Sequence, residues 1–153
     1  MGPGPSAKDT DIEMAFRLGS LIAQRGWVLL TGGMASGVMD AASRGANSAG
    51  GLVVGVLPTD DASGASEAVH IPIVTGMGSG RNNINILSSR VVITCGMGPG
   101  TASEAALAIK GGKNLILLGA MDEAAAFFKT LSKKDVHIAA TPEEAIEIAS
   151  ELI

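Results

Sequence analysis

The order of elements along the chain predicts an α/β fold: a doubly wound, mostly parallel sheet with helices on both faces. Three observations carry that expectation. Short apolar runs such as "WVLLT", "LVVGVL", "VVITC" and "NLILL" alternate with stretches of helical periodicity along the whole chain. Those runs lack the apolar–polar alternation of a sheet with one wet face, as expected of strands buried on both sides. The strand-to-helix corners are rich in glycine, and at those corners open parallel sheets meet their ligands.

Taken in order, "DTDIEMAFRLGSLIAQRG" reads as a helix, because Ile12, Ala15, Phe16, Leu18, Leu21 and Ile22 recur at helical spacing. Asp9 or Asp11 is its expected cap and Gly26 its stop. A short strand in "WVLLTGG" follows, then a helix of small residues from Gly37 to about Ala49. "LVVGVLP" is the next strand, closed by Pro58, and "TDDASGASEAV" is a polar loop. "HIPIVTG" is a brief strand, "RNNINILSSR" a helix and "VVITCG" a strand. "TASEAALAIKGG" is a helix, "NLILLG" a strand, "MDEAAAFFKTLSKKD" a helix whose end "SKKD" is solvated, and "VHIAA" the last strand. In the closing helix "TPEEAIEIASELI", Thr141 is the expected N-cap, Pro142 the first helical residue, and acids fill the first turn. No linker or repeat divides the chain, so residues 1–153 read as one ligand-binding domain. The opening "MGPGP" resembles a loop that follows a strand, so the first strand of the sheet is expected to be missing from this chain.

Composition narrows the function classes. The chain has 153 residues, 46% of them hydrophobic and only 3% aromatic, so Val, Ile, Leu, Met and Ala must build the core. A net charge of -4 argues against extended nucleic-acid binding, which works by neutralising phosphates with Lys and Arg. No apolar run reaches the roughly 18 residues of a membrane-spanning helix, and no signal pattern opens the chain, so cytoplasmic residence is expected. The single cysteine, Cys95, has no intrachain disulfide partner and reads as buried packing.

Four corners place glycine beside polar residues: Gly2–Ser6, Thr31–Gly37, Thr75–Asn83 and Gly96–Glu104. In a parallel sheet they emerge at one edge and should converge on one crevice. Glycine lets a ligand approach the backbone closely, and each helix start offers unpaired N–H groups at the positive end of its dipole, so such corners suit an anion without a lysine. Ser36, Ser79, Thr101 and Ser103 add hydroxyls, and Arg81 supplies a planar cationic fork. Neither a full dinucleotide fingerprint nor a Walker pattern is present: "GMGPGTAS" comes late in the chain with no Lys-Ser/Thr after it. Taken singly, each corner also reads as a tight turn with a helix cap. Thr101 and Glu104 have the spacing of a capping box, with a carboxylate facing the crevice as the alternative. Asp40 is a first-turn acid or a crevice group, Met39 reads as a core filler, and His70 and His137, without metal-ligand spacing, read as structural or exposed.

The segments "TGGMASGVMDAASRGANSAGGLVVGVLP" and "GSGRNNINILSSRVVITCGMGPGTASEAALAIKGGKNLILLG" resemble the lysine-decarboxylase-like, or LOG-like, Rossmann superfamily over nearly the whole chain. Within it, the loop "GMGPGTA-E", the helix "R-x-N-I-N-x-L-S-S" and the unit "W-x-L-L-T-G-G-x-x-x-G-V-M" are most similar to molybdenum cofactor carrier proteins. The enzyme branch, nucleoside 5'-monophosphate phosphoribohydrolases, is similar but carries P-G-G-x-G-T-x-x-E. Here Gly96 and Met97 stand where those enzymes have Pro and Gly, and Arg81 is followed by Asn82 instead of lysine. The resemblance implies a non-enzymatic carrier that binds, protects and delivers the molybdenum cofactor to recipient molybdoenzymes, assembled as a homo-oligomer, tetramer or dimer. The implied binding residues are Gly32, Gly33, Ser36, Gly78, Ser79, Arg81, Asn82, Gly98, Gly100, Thr101 and Glu104. The alternative is a phosphoribohydrolase using Glu104 and Arg81. A single-strand DNA module is a third reading, opposed by the acidic balance and the scarcity of aromatics.

Overall fold

The computed structural model describes residues 1–132, 134 and 136–153. The expected solvated helix end at Ser132–Asp135 includes Lys133 and Asp135, which lie outside the described residues. The elements follow the predicted order: α1 (Asp9–Gln24), β1 (Leu29–Thr31), α2 (Gly37–Ser48), β2 (Val53–Leu57), β3 (Ile71–Val74), a 3-10 turn (Gly78–Gly80), α3 (Arg81–Ser88), β4 (Val91–Cys95), α4 (Pro99–Lys110), β5 (Asn114–Leu118), α5 (Asp122–Leu131), β6 (Val136–Ala139) and α6 (Pro142–Leu152).

All strand pairs are parallel, and the strands form two three-stranded groups, β1-β2-β3 and β4-β5-β6. β5 shows why an unbroken apolar run makes a central strand. Successive side chains point to opposite faces, and Leu115 and Leu117 join a core with Ile86, Ala105 and Phe128, whereas Ile116 and Leu118 join Ala15, Leu18, Val53 and Ile146. Helices α1, α2 and α6 thus cover one face, and α3, α4 and α5 the other. Each such fully buried Leu or Ile contributes about 1.5–3 kcal/mol relative to exposure.

Small residues let α1 and α2 meet closely. A Cβ at Gly45 would strike the carbonyl oxygen of Phe16, and one at Gly19 that of Ala42. α6 begins as read, with Thr141 accepting from the Glu144 N–H at 3.2 Å. α1 does not: its N-cap is Lys8, and Asp11 sits one turn in, where its carboxylate accepts the Lys8 N–H at 3.2 Å. Acids near a helix start are favoured both as caps and by the dipole, and the pattern "KDTD" does not separate the two roles.

The two strand groups do not touch through a ladder. β1 pairs with β2, β4 pairs with β5, and an apolar cavity of about 570 Å³ lies between β1 and β4. α1 and α3 close it on the two faces through Leu18 and Ile84. Among the described residues, only Met1 bonds to β4 there: its amino group donates to the Ile93 carbonyl at 2.6 Å, and the Cys95 N–H donates to the Met1 carbonyl at 2.7 Å.

Candidate functional site

The strands' carboxyl ends carry a second, polar cavity of about 210 Å³. Its walls come from four stretches far apart in the chain: residues 1–6, Gly32 with Met39, Arg81 with Asn82, and Gly98–Glu104.

α4 shapes one wall. Gly98 is the N-cap in extended conformation and Pro99 is the first helical residue. Proline is pre-organised for that position and has no N–H to lose. The N–H groups of Gly100 and Thr101 lie in the first turn, without an acceptor inside the helix, at the positive end of its dipole. This corrects the capping-box reading: the helix starts two residues ahead of Thr101, and Thr101 is a buried helical residue. Its hydroxyl has no hydrogen-bond partner among the described residues. Glu104, one turn on, is also buried and borders the cavity.

Arg81 forms the facing wall. It is the first residue of α3 and only 8% exposed, yet its Nε and Nη1 have no partner among the described residues. Its Nη2 makes only a weak contact to the Met39 sulfur at 3.9 Å. Gly32 makes room for this fork: a Cβ there would collide with both terminal guanidinium nitrogens and lie 2.6 Å from the Met39 sulfur. Burial pushes the Arg81 pKa down, and Glu104 offsets part of that. Burial pushes the Glu104 pKa up, opposed by the Met1 ammonium and then by Arg81. Among the described residues the ion pairs are Arg17–Glu143 and Arg44–Asp40, so Arg81 and Glu104 feel each other's charge without forming one. The arrangement is a buried cationic fork, a free hydroxyl and open helix N–H groups around one small space. Chemically, that suits an anion with several acceptor oxygens.

Of the residues read from the sequence, Gly32, Arg81, Asn82, Gly98, Gly100, Thr101 and Glu104 line this cavity. Gly33, Ser36, Gly78 and Ser79 do not. Gly33 has φ 74° and lies against Gly55 of β2. Ser36 stands at the N-cap position of α2 without a side-chain cap bond, and the helix's second N–H, that of Val38, is taken by the Pro3 carbonyl at 3.0 Å. Gly78 and Ser79 are exposed in a turn tied by its Gly78 N–H to the Pro58 carbonyl. Met39, read as a core filler, instead lines both cavities, as do Met1 and Gly32. The N-terminal loop, a glycine corner outside the binding residues the sequence implies, also lines the cavity, through Gly2, Pro3, Gly4 and Ser6. The signal was there, in "GPGPS" ahead of a helix. Asp40 lies elsewhere, accepting from the Ser66 hydroxyl at 2.6 Å. His70 stands in structure, its Nδ1 accepting the Val53 N–H at 3.2 Å. Cys95 is buried, its thiol donates to the Asp11 carbonyl at 3.3 Å, and burial pushes its pKa up to about 11.

The model of the SLOG cluster4 family matches residues 1–146. A solved molybdenum cofactor binding protein from the phototrophic bacterium Rippkaea orientalis is 52% identical, covering 99% of this chain and 93% of that one, with a TM-score of 0.97. The molybdenum cofactor carrier protein of Chlamydomonas reinhardtii is 50% identical over 99% of this chain and 94% of that one, with a TM-score of 0.94. An uncharacterized protein of Archaeoglobus fulgidus is 43% identical over 118 residues, 77% of this chain and 76% of its own length.

Proposed function

The chain belongs to the SLOG cluster4 family, and from that premise we propose that it binds, shields and delivers the molybdenum cofactor, a phosphorylated pterin dithiolene carrying molybdenum, without catalysis. One observation carries this reading: the unpartnered Arg81 fork and the unpartnered Thr101 hydroxyl are buried on the walls of one cavity at the open start of α4. Buried polar groups without partners cost stability, and an arriving anionic group that accepts from both relieves that cost. A space of about 210 Å³ is sized for one end of such a cargo, the phosphate or the oxo-bearing end, with the remainder held at the rim. Release is served by the same design, because backbone and hydroxyl donors let go without any covalent step. Similarity to proteins described as binding or carrying this cofactor supports the same reading.

The cofactor passes on to recipient molybdoenzymes, and residues 1–153 act as one binding unit. The protein works in the cytoplasm as a homo-oligomer, a tetramer or dimer; the exposed apolar Ile71, Ile73 and Val74 of β3 suit a buried contact between copies. No described helix is long and apolar enough to cross a membrane.

The test is metal and pterin analysis of the protein after mixing, under nitrogen, with cofactor released from a molybdoenzyme. Molybdenum and pterin should elute with the protein in equal amounts, and elution of both with the small molecules would overturn the reading. A nucleotide hydrolase is favoured by one feature, the buried carboxylate of Glu104 within charge range of Arg81. Glycosidic cleavage also needs well-placed cations around its transition state, and Asn82 at the next position brings an uncharged amide to the cavity. Release of adenine from AMP that vanishes in Glu104→Gln would replace the carrier by the hydrolase.

A further inference from the structure

Six buried side-chain nitrogen and oxygen atoms of the described residues have no hydrogen-bond partner, and they belong to only four residues: Arg81, Asn85, Thr94 and Thr101. Arg81 and Thr101 line the polar cavity, whereas Asn85 and Thr94 do not. Both of the latter are 0% exposed, so neither touches a cargo directly.

Chain geometry puts all four in one layer. On α3 successive residues turn by about 100°. Ile84 borders the space between β1 and β4, and Ile86 joins the core of Leu115 and Leu117 on β5. Asn85, between them, therefore points at β4. On β4, Val92 belongs to that same core, and Thr94, two residues on, faces the same way. On α4, Ala105 belongs to it too, and Thr101, one turn earlier, shares that face. α3 starts at the carboxyl edge of the sheet, where Arg81 lines the polar cavity, and β4 ends at that edge. Asn85, one turn into α3, thus meets Thr94, one residue from the end of β4, behind the cavity wall. Arg81 stands one turn ahead of Asn85, at the i,i+4 spacing of helix neighbours.

The chemistry of the unpartnered atoms selects what joins them. Asn85 offers amide N–H donors and a carbonyl acceptor, Arg81 Nε only a donor, and the Thr94 hydroxyl either. A cation would face the Arg81 charge, and an anion would face the Asn85 carbonyl oxygen with the Glu104 carboxyl close by. A neutral molecule that both donates and accepts satisfies all of them. Water is the smallest, and an internal water is held by roughly two to four polar partners.

We propose that Asn85 and Thr94 hold an internal water behind the polar cavity. This water accepts from the Arg81 Nε–H and donates to the Asn85 carbonyl oxygen, which makes Asn85 a positioning residue for the Arg81 fork. The fork is tethered from behind through Nε while its terminal nitrogens stay free for the cavity, so less freedom is lost when an anion arrives. The inference deepens the carrier reading and rests on it only for the identity of that anion.

The experiment uses the cargo-free 153-residue chain, isotope-labelled for magnetic resonance, beside Asn85→Leu, Thr94→Val and Thr94→Ser. The first two keep the approximate volume and lose the polar groups; the third keeps the hydroxyl. In the parent and in Thr94→Ser, magnetisation should pass from water to the Asn85 side-chain amide protons, and the Arg81 Nε–H should have an order parameter of about 0.85. In Asn85→Leu that order parameter should fall below about 0.6. Thr94→Val should lower Tm by about 3 °C, because the water loses a partner. An Arg81 Nε–H as rigid in Asn85→Leu as in the parent would overturn the proposal. So would a higher Tm in Thr94→Val, the sign of a dry layer relieved of an unpaired hydroxyl. Cofactor released from a molybdoenzyme should bind Asn85→Leu about 10-fold more weakly than the parent, and equal affinity would also count against it. Order parameter and Tm need no cargo, so they stand if the carrier reading fails, and their failure leaves that reading intact.

Discussion

The two cavities share Met1, Gly32 and Met39, yet they ask for opposite occupants. Their walls differ in the hydrogen-bonding groups they offer. Between β1 and β4 those groups belong to the main chain, Leu30 of β1 and Val91 of β4, flanked by Leu, Ile and Val. At the start of α4 they are side-chain groups, the Arg81 fork and the Thr101 hydroxyl, with a buried carboxylate nearby. Main-chain groups set among apolar side chains offer nothing to an ion, whereas irregular charged donors match a small anion. The lesson is that an unsatisfied group identifies its partner by spacing and by the polarity around it.

Four outcomes would break or sharpen that contrast, beginning with the largest. Cys95 borders the apolar cavity, and a thiol held at about 11 carries little thiolate at pH 8. Iodoacetamide should therefore label it roughly 200-fold more slowly than in the urea-unfolded chain, as followed by mass spectrometry. Labelling as fast as in the unfolded chain would mean a wet cavity. Next, Gly32→Ala should weaken molybdenum cofactor binding about 100-fold, because the new methyl both displaces the guanidinium nitrogens and intrudes on the cavity that Gly32 lines. The fork's far end can swing aside, so calorimetry should show Tm almost unchanged.

Arg81→Met should separate function from stability. It removes a buried charge with unpartnered nitrogens, so Tm should rise while cofactor affinity falls about 30-fold. A fall in both would mean that Arg81 holds the fold together instead. The smallest effect concerns Glu104, whose folded-state pKa is raised, first by burial. Such a carboxyl contributes stability that is whole below its unfolded pKa and is lost as pH rises through the folded value. Glu104→Gln should remove that slope, so the variant gains on the parent by a few degrees of Tm between pH 4 and pH 8. A constant difference across the range would place the burial cost elsewhere.

Particular residues show how far pattern reading reached. "NLILL" announced a strand with both faces covered, and β5 divides its side chains between two cores. Thr141 with Pro142 was legible because cap and first-turn residue are neighbours in the chain. Thr101 with Glu104 has capping-box spacing but is no box, because Pro99 starts the helix sooner. Met39 sits on an ordinary helical position, and nothing local says that Arg81, 42 residues away, lies against its sulfur.

The amino-acid order by itself determined the alternation of strands and helices, the parallel sense of the pairing and the edge at which glycine corners gather, because these follow from backbone sterics and from the period at which apolar side chains recur. Tertiary structure alone decided which corners still have something to offer. α2 gives its Val38 N–H to Pro3, whereas the first turn of α4 opens onto a cavity. It also decided that the sheet parts between β1 and β4. A donor is free only when no distant group has reached it, and that depends on packing between segments that are far apart along the chain.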